Sequence, residues 1–159
     1  YFQFVQQWPP TNCRVRIKRP CSNPRPLQYF TIHGLWPSNY SNPTKPSNCA
    51  GSQFNFTKVI SWPDVESGND TKFWEGEWNK HGTCSERILN QMQYFQRSQA
   101  MWKSHNITEI LKNASIVPHP TQTWTYADIV APIQTATKRT PLLRCKWDKK
   151  NQLLHEVVF

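Results

Sequence analysis

The sequence predicts one domain of mixed helix and strand, and three observations carry that expectation. Alternating or β-prone runs lie near both ends of the chain, at 2–7, 29–33 and 153–159. Helical spacing of apolar residues appears between them, at 71–81 and 86–103. The 159 residues fit one domain, and neither a repeat nor a linker interrupts them.

The elements follow in order. Phe2, Phe4 and Gln6 alternate with Gln3, Val5 and Gln7 until Trp8-Pro9-Pro10 ends the strand. Residues 11–26, rich in Pro, Cys and Arg, read as a stapled loop. Tyr29-Phe30-Thr31-Ile32-His33 reads as a central strand that ends at Gly34, with His33 at its exit. Residues 37–58 are rich in Ser, Asn and Pro and predict a long exposed loop, which is usually functional or variable surface. In 71–81, Phe73, Glu77 and His81 sit at i, i+4 and i+8 and share one helix face. Trp74 and Trp78 form a second stripe suited to the core, and Gly82 supplies a stop. Ile88, Met92, Phe95 and Trp102 predict the core stripe of a helix over 86–103. Thr125 and Asp128 resemble a capping box ahead of Ile129, Ile133 and Ala136. Pro132 predicts that this third helix is kinked or starts late, because an interior Pro costs about 3 kcal/mol. Leu153 to Phe159 reads as a strand with no stop signal.

Composition narrows the class. Hydrophobic residues make up 37% and charged residues 18%, which excludes a disordered polyelectrolyte. Thirteen Pro with five Gly exclude collagen, and eight Trp with eight Phe can fill a core. No apolar run reaches the roughly 20 residues that span a bilayer. Lys and Arg number 19 against 10 Asp and Glu, a net charge of +9. Such a surface is drawn to polyanions such as nucleic acid, anionic membrane or acidic polysaccharide. Arg14, Arg16, Lys18, Arg19 and Arg25 form one basic stretch, and Lys138, Arg139, Arg144, Lys146, Lys149 and Lys150 another.

Compartment is read from sequons and cysteines. Asn39, Asn55, Asn69, Asn106 and Asn113 each begin an Asn-x-Ser/Thr sequon, a density that points to the secretory route and exposed loops. Cys13, Cys21, Cys49, Cys84 and Cys145 are scattered without a CxxC pair, so disulfides are expected rather than a zinc ribbon. The number is odd, and Cys145 is the simplest one to leave over. The start at Tyr1, without Met or leader, reads as a mature product, and the C-terminal end as truncated.

Two of the five His stand in settings suited to catalysis. His33 leaves a strand into Gly34-Leu35-Trp36-Pro37, and His81 closes an aromatic helix beside Lys80, one turn after Glu77. His105, His119 and His155 sit in polar or Pro-flanked contexts and receive no role. A single His is more often structural than catalytic, but a basic secreted chain with this set has what RNA cleavage needs. RNA carries its own nucleophile, the 2′-OH. A base must take its proton, an acid must protonate the departing 5′-oxygen, and positive charge must meet the phosphorane oxygens. Imidazole has an unperturbed pKa of about 6.5, so one ring can be neutral while another is charged. Lys80 is a compact cation for the non-bridging oxygens. Glu77 can bond a phosphate oxygen through its proton or orient His81. No metal is required, and no HExxH or Cys-pair spacing supports one.

At this point a resemblance enters. The segments Phe30-Thr31-Ile32-His33-Gly34-Leu35-Trp36-Pro37 and Phe73-Trp74-Glu75-Gly76-Glu77-Trp78-Asn79-Lys80-His81-Gly82-Thr83-Cys84 resemble the two active-site segments of the T2 (acid) ribonuclease family. The likeness covers nearly the whole chain, including Phe4-Val5-Gln6-Gln7-Trp8-Pro9. Charge, sequons and the loop after Trp36 look most like the S-ribonucleases of plant styles, especially the rosaceous kind, which act on pollen-tube RNA in gametophytic self-incompatibility.

The resemblance implies an α+β fold with helices packed on an antiparallel sheet. It implies catalytic positions at His33, Glu77, Lys80 and His81, with His81 taking the 2′-OH proton and His33 supplying one to the leaving group. His81, near a helix C-terminus and Glu77, is expected to hold its proton more tightly than a free imidazole. Trp36 packs at the ribose-phosphate in that picture, and Phe73 stacks on a base, worth roughly 1–3 kcal/mol. Gln7 and Asp64-Val65-Glu66 match positions that line a base pocket. Disulfides Cys13–Cys21 and Cys49–Cys84 and a 2′,3′-cyclic phosphate product are implied too. RNA is the expected partner, without cofactor or membrane, for a secreted monomer, and a pollen-side protein is a candidate partner for loop 37–58. Non-catalytic or general defence and phosphate-scavenging proteins on the same fold are the alternatives. Two departures stand out in this single domain of residues 1–159. The stretch between Phe56 and Trp62 is short, so that Thr57-Lys58-Val59-Ile60-Ser61 bridges directly to the wall near Asp64. The C-terminal end, with the partner of Cys145, is absent.

Overall fold

The computed structural model describes residues 1–15, 20–39, 46–55 and 61–159. Strand β1 (Phe2–Gln7) leads into helix α1 (Pro9–Val15), and strand β2 (Thr31–Pro37) follows. Helix α2 (Asp70–Lys80) runs into a 3₁₀ turn at Gly82–Ser85, then come helices α3 (Gln91–Ser104), α4 (Ile107–Asn113) and α5 (Tyr126–Thr137). Strands β3 (Leu142–Asp148) and β4 (Asn151–Val158) complete the order. The sheet runs β2-β1-β4-β3, antiparallel throughout. The architecture is therefore the α+β class that the resemblance implies. Among the described residues, no helix is long and apolar enough to cross a membrane.

Each half of the sheet carries one bulge, and each bulge falls on a histidine. Val5 pairs with Gly34 but Gln6 pairs with Ile32, so His33 is the extra residue of β2. Arg144 pairs with Glu156 but Cys145 pairs with Leu154, so His155 is the extra residue of β4. An extra residue breaks the two-residue alternation of a strand. Ile32 and Leu35, three apart, consequently both enter the main core. His33 and Trp36, also three apart, meet each other instead, with ring centroids 5.1 Å apart.

The main core lies between the sheet and helices α2 and α3. Phe4, Ile32 and Leu35 meet Trp62, Trp74, Trp78, Tyr94 and Phe95 there. Edge-to-face pairs such as Tyr94–Phe95 (5.3 Å) and Trp78–Tyr94 (5.7 Å) knit this layer, each worth roughly 0.5–1.5 kcal/mol beyond area burial. The indole nitrogens of Trp74 and Trp78 donate to the carbonyls of Trp62 (2.6 Å) and Ser52 (2.9 Å). A second cluster, built on Phe30, Ile107, Leu111, Ile133 and Val157, packs α4 and α5 against the sheet. Disulfides join Cys13 to Cys21 and Cys49 to Cys84. Cys145 is a free, exposed thiol on β3.

Several local expectations change. Residues 11–15 are helix rather than loop. Pro9 and Pro10 occupy its first turn, where a missing N–H costs nothing and the ring pre-sets φ. Strand β2 does not end at Gly34 but runs on to Pro37. The 86–103 helix starts at Gln91, because Asn90 and Gln93 form a capping box. Ile88 and Met92 are therefore surface residues, 73% and 55% exposed, while Phe95 stays in the core. Helix α5 starts directly at its Thr125–Asp128 capping box and holds Pro132 inside. The carbonyl that Pro132 leaves without an i+4 donor belongs to Asp128, which is exposed and open to water. Gly82 opens the 3₁₀ turn, and a Cβ there would overlap the Trp78 ring. The short segment before Trp62 lies largely outside the described residues.

Two predictions arise from this packing. Gly82→Ala forces a methyl against Trp78 and should lower stability by about 1–3 kcal/mol in denaturant unfolding. The second concerns the bulged His155. Burial pushes its pKa down to about 4, with Lys146 adding to the shift. An unfolded His titrates near 6.5, so between pH 6.5 and 4 the unfolded chain binds more protons. Stability from this residue is complete above about pH 6.5 and is lost as pH falls towards 4. Tm followed over that interval should decline, and His155→Gln should flatten the decline.

Candidate active site

A cleft of about 300 Å³ opens where β2 faces the end of α2, lined by His33, Trp36, Ser47, Glu77, Lys80 and His81. Trp36 is its centre. The His33 ring meets the indole edge-on at 5.1 Å, and the His81 ring lies tilted at 5.2 Å. The indole Nε1 donates to Glu77 Oε2 at 3.1 Å. The Arg144 guanidinium sits over the same indole, 5.5 Å from its centroid, a cation–π arrangement.

Helix geometry sets the second half. Asn69 caps α2 by accepting from the Lys72 N–H. The one-turn spacing then brings Glu77 and His81 to the same side, while Trp74 and Trp78 anchor the neighbouring stripe in the core. The His81 N–H closes the last turn on the Glu77 carbonyl at 2.9 Å. The polar segment 46–55 is held to this end of the helix by the Asn48 N–H to Lys80 carbonyl bond (2.8 Å) and by Cys49–Cys84, which brings Ser47 to the rim.

Gly34 makes the arrangement possible. A Cβ on it would collide with Trp36 Nε1 and Glu77 Oε2, the two atoms of the bond that joins strand to helix. This close approach explains a glycine inside a strand.

Electrostatics differ between the two carboxylates. Burial raises the Glu77 pKa, opposed by His33, by the Trp36 hydrogen bond and by Lys80, and supported by Glu156. Burial acts in the same direction on Glu156, but there the hydrogen bond and charge of His33, the charge of His155 and the Arg144 hydrogen bond outweigh it and hold the group down to about 2. Glu77 thus keeps a proton more readily than an ordinary glutamate, whereas Glu156 stays ionised.

The remaining expected site residues lie elsewhere. Gln7 is buried at the end of β1, opposite Thr31 and Glu156. Phe73 packs edge-on against Trp62 at 6.3 Å, at the margin of the main core. The Asp64 carboxylate accepts from the N–H groups of Glu66 (2.8 Å), Ser67 and Asn69 (3.2 Å each) and from the Ser67 hydroxyl. It organises its own loop, and these bonds lower its pKa against the effect of partial burial. Glu66 accepts from Asn12 Nδ2 at 3.1 Å, so the 64–66 loop, with Val65 in its middle, is docked on α1. None of these five residues lines the cleft around Trp36.

Glu156, Arg144 and Ser47 stand at the site without having been expected there. Two titratable residues, His155 and Glu156, inside the apolar run Leu153 to Phe159 are the signal that could have marked the first.

The family model described as Ribonuclease T2 family matches residues 1–159. Ribonuclease 1 of Arabidopsis thaliana is 37% identical over 172 residues, covering 99% of this chain and 73% of that protein. Ribonuclease S-1 of Pyrus pyrifolia is 37% identical over 159 residues, covering 92% and 68%. Among solved structures, ribonuclease MC1 from bitter gourd seeds superposes with a TM-score of 0.89 at 36% identity, covering 99% of this chain and 86% of that one. Japanese pear S3-RNase superposes at 0.86 and 31% identity, covering 99% and 83%. By the match along its whole length and the likeness to these relatives, the chain is a member of the Ribonuclease T2 family.

Proposed function

We propose that this chain is a secreted, metal-independent endoribonuclease that cleaves single-stranded RNA by transphosphorylation and acts as a stylar determinant of gametophytic self-incompatibility. The observation that carries the chemistry is the pair of imidazoles, His33 and His81, set about one indole and lining one cleft with Glu77 and Lys80.

In the proposed step the 2′-oxygen attacks phosphorus while its proton passes to His81. The P–O5′ bond breaks, and His33 gives its proton to the departing 5′-oxygen. Lys80 offsets charge on the non-bridging oxygens. Glu77, held towards its protonated form by burial, donates a hydrogen bond to one of them. The product is a 2′,3′-cyclic phosphate. RNase NT, a solved relative at 34% identity and a TM-score of 0.86, is described in complex with 5′-AMP, in keeping with a nucleotide-sized cleft. Phe73, Gln7 and the 64–66 loop are the proposed base-side residues beyond this cleft.

Secretion is supported by two disulfides and by the exposure of all five sequon asparagines, Asn39, Asn55, Asn69, Asn106 and Asn113. The stylar role is supported by the likeness to the Pyrus S-ribonucleases. In the 37–58 stretch proposed to meet a pollen-side protein, residues 40–45 and 56–58 lie outside the described residues, Pro37 closes β2, and 47–53 and 55 are exposed. A second reading is favoured by the equal identity to Ribonuclease 1 and by the 36% identity to the extracellular ribonuclease LE of Solanum lycopersicum. On that reading the same chemistry serves defence or phosphate recovery. Expression confined to the style supports the first, and induction by phosphate starvation the second.

The chemistry is tested with dinucleoside phosphates in the presence of EDTA, following the cyclic phosphate by ³¹P NMR. Wild type should form it, and His33→Ala and His81→Ala should each lose roughly 10²–10⁴-fold in kcat. Full activity in either variant overturns the proposal. Gly34→Ala should separate Trp36 from Glu77 and depress kcat while the chain still folds with both disulfides, as read by circular dichroism and thiol titration.

A further inference from the structure

We propose that Glu156 is a positioning residue for His33: its carboxylate fixes Nδ1 as the hydrogen-bearing nitrogen, which leaves Nε2 directed to the cleft for transfer to the leaving oxygen. The proposal rests on the ribonuclease reading above and adds to it a group on another strand.

The geometry is specific. Glu156 Oε1 lies 2.5 Å from His33 Nδ1, and Glu156 Oε2 accepts from Arg144 Nη1 at 3.0 Å. Both carboxylate oxygens are therefore engaged, and neither can turn away without breaking a bond. Arg144 is itself held, over the Trp36 indole and by a 3.4 Å bond from Nη2 to Gln3 Oε1. The result is a line of fixed groups from β3 through β4 to the bulged residue of β2. A buried acid with the Glu156 exposure of 4% needs such partners, since a lone buried charge is strongly unfavourable.

The bulge explains why His33 depends on this contact. The extra residue of a bulge is unpaired and free of the ladder's alternation, so strand pairing alone does not set its ring. Two neutral tautomers are open to an imidazole, and the hydrogen bond at one nitrogen decides which is present. An ionised carboxylate can only accept, so it selects Nδ1–H. The other ionisable groups facing His33 are Glu77 and Lys80 from α2, His81 just past its end, and His155 from β4. They lie in the cleft or beside Glu156, and among the described residues the bond at Nδ1 is the one to Glu156.

The test compares Glu156→Ala and Glu156→Gln with His33→Ala on two substrates. One is a dinucleoside phosphate, whose alkoxide leaving group needs a proton. The other is a nucleoside 3′-aryl phosphate, whose leaving group departs without one. For Glu156→Ala, kcat on the dinucleotide should fall about 10²-fold with KM nearly unchanged, and the aryl ester should be cleaved at close to the wild-type rate. Glu156→Gln, which keeps an acceptor oxygen, should recover part of the loss. Independently, ¹⁵N NMR of the unaltered protein, at a pH where the ring is neutral, should show His33 with its hydrogen on Nδ1. The inference is overturned if Glu156→Ala keeps wild-type kcat, if both substrates suffer equally, or if the hydrogen resides on Nε2. Should Glu156→Ala not fold, the ¹⁵N measurement decides alone. An active His33→Ala overturns the ribonuclease reading itself, whereas an inactive His33→Ala beside an active Glu156→Ala removes only the role of Glu156.

Discussion

The indole of Trp36 is the contact on which the rest of the site depends. It touches both candidate imidazoles, donates to Glu77 and lies under Arg144. A ring with one donor and two faces can do this only if three chain segments approach it closely. Gly34 lets the strand come near enough for the Trp36–Glu77 bond. The bulge at His33 puts residues 33 and 36 together when regular alternation would separate them. The core stripe of Trp74 and Trp78 sets the roll of α2 about its axis and so aims Glu77 and His81. Each of these is a packing constraint first and a chemical arrangement second.

Burial divides the charged groups into two kinds. Glu77 faces the cleft through one hydrogen-bonded oxygen and is driven by burial towards its neutral form. Glu156 is similarly removed from solvent, but three cationic or hydrogen-bonding neighbours, His33, His155 and Arg144, keep it ionised. The same element, a carboxyl group inside the fold, therefore acts as a proton holder in one place and as a fixed negative charge in the other. The difference lies in the number of donors each one meets.

How much of this was legible in the sequence depends on the span of each relation. Glu77 and His81 were legible as neighbours because helical period relates them within one turn, whereas Phe73, which the same period places with them, packs against Trp62 at the core margin instead. The two capping boxes that begin α3 and α5 are also local: the Thr125–Asp128 pair marks the start of α5, whereas the Asn90–Gln93 pair overrides the apolar period that begins at Ile88, sets the start of α3 at Gln91 and leaves Ile88 on the surface. Strand ends were harder. Gly34 looks like a terminator by propensity, but in the fold it is a point of close approach inside β2. The short helices α1 and α4 were not read at all. Each has seven residues, too few for a periodic signal. The His33–Glu156 contact spans 123 positions along the chain, and pairing across a sheet with two bulges is not written in any local pattern. His155 was set aside for the same reason, since its burial arises from the β3–β4 register.

The helix caps bear on how the sequons should be interpreted. Asn69 and Asn106 use their side-chain oxygens to receive the Lys72 and Glu109 N–H groups at 3.0 and 3.2 Å. A sugar attaches at the amide nitrogen, so a carbohydrate and a cap can share one asparagine. The Asn106 tripeptide is more fully committed, because Ile107 is wholly buried and the Thr108 hydroxyl accepts from the Phe30 N–H at 2.8 Å. All three of its residues thus have architectural reasons to be present whether or not an oligosaccharide is added. Erasing that acceptor by replacing its asparagine withdraws a cap worth about 1 kcal/mol, and replacing its threonine loosens the approach to β2. Deglycosylation by mutation at this position therefore alters the scaffold, whereas enzymatic trimming of the glycan leaves it intact.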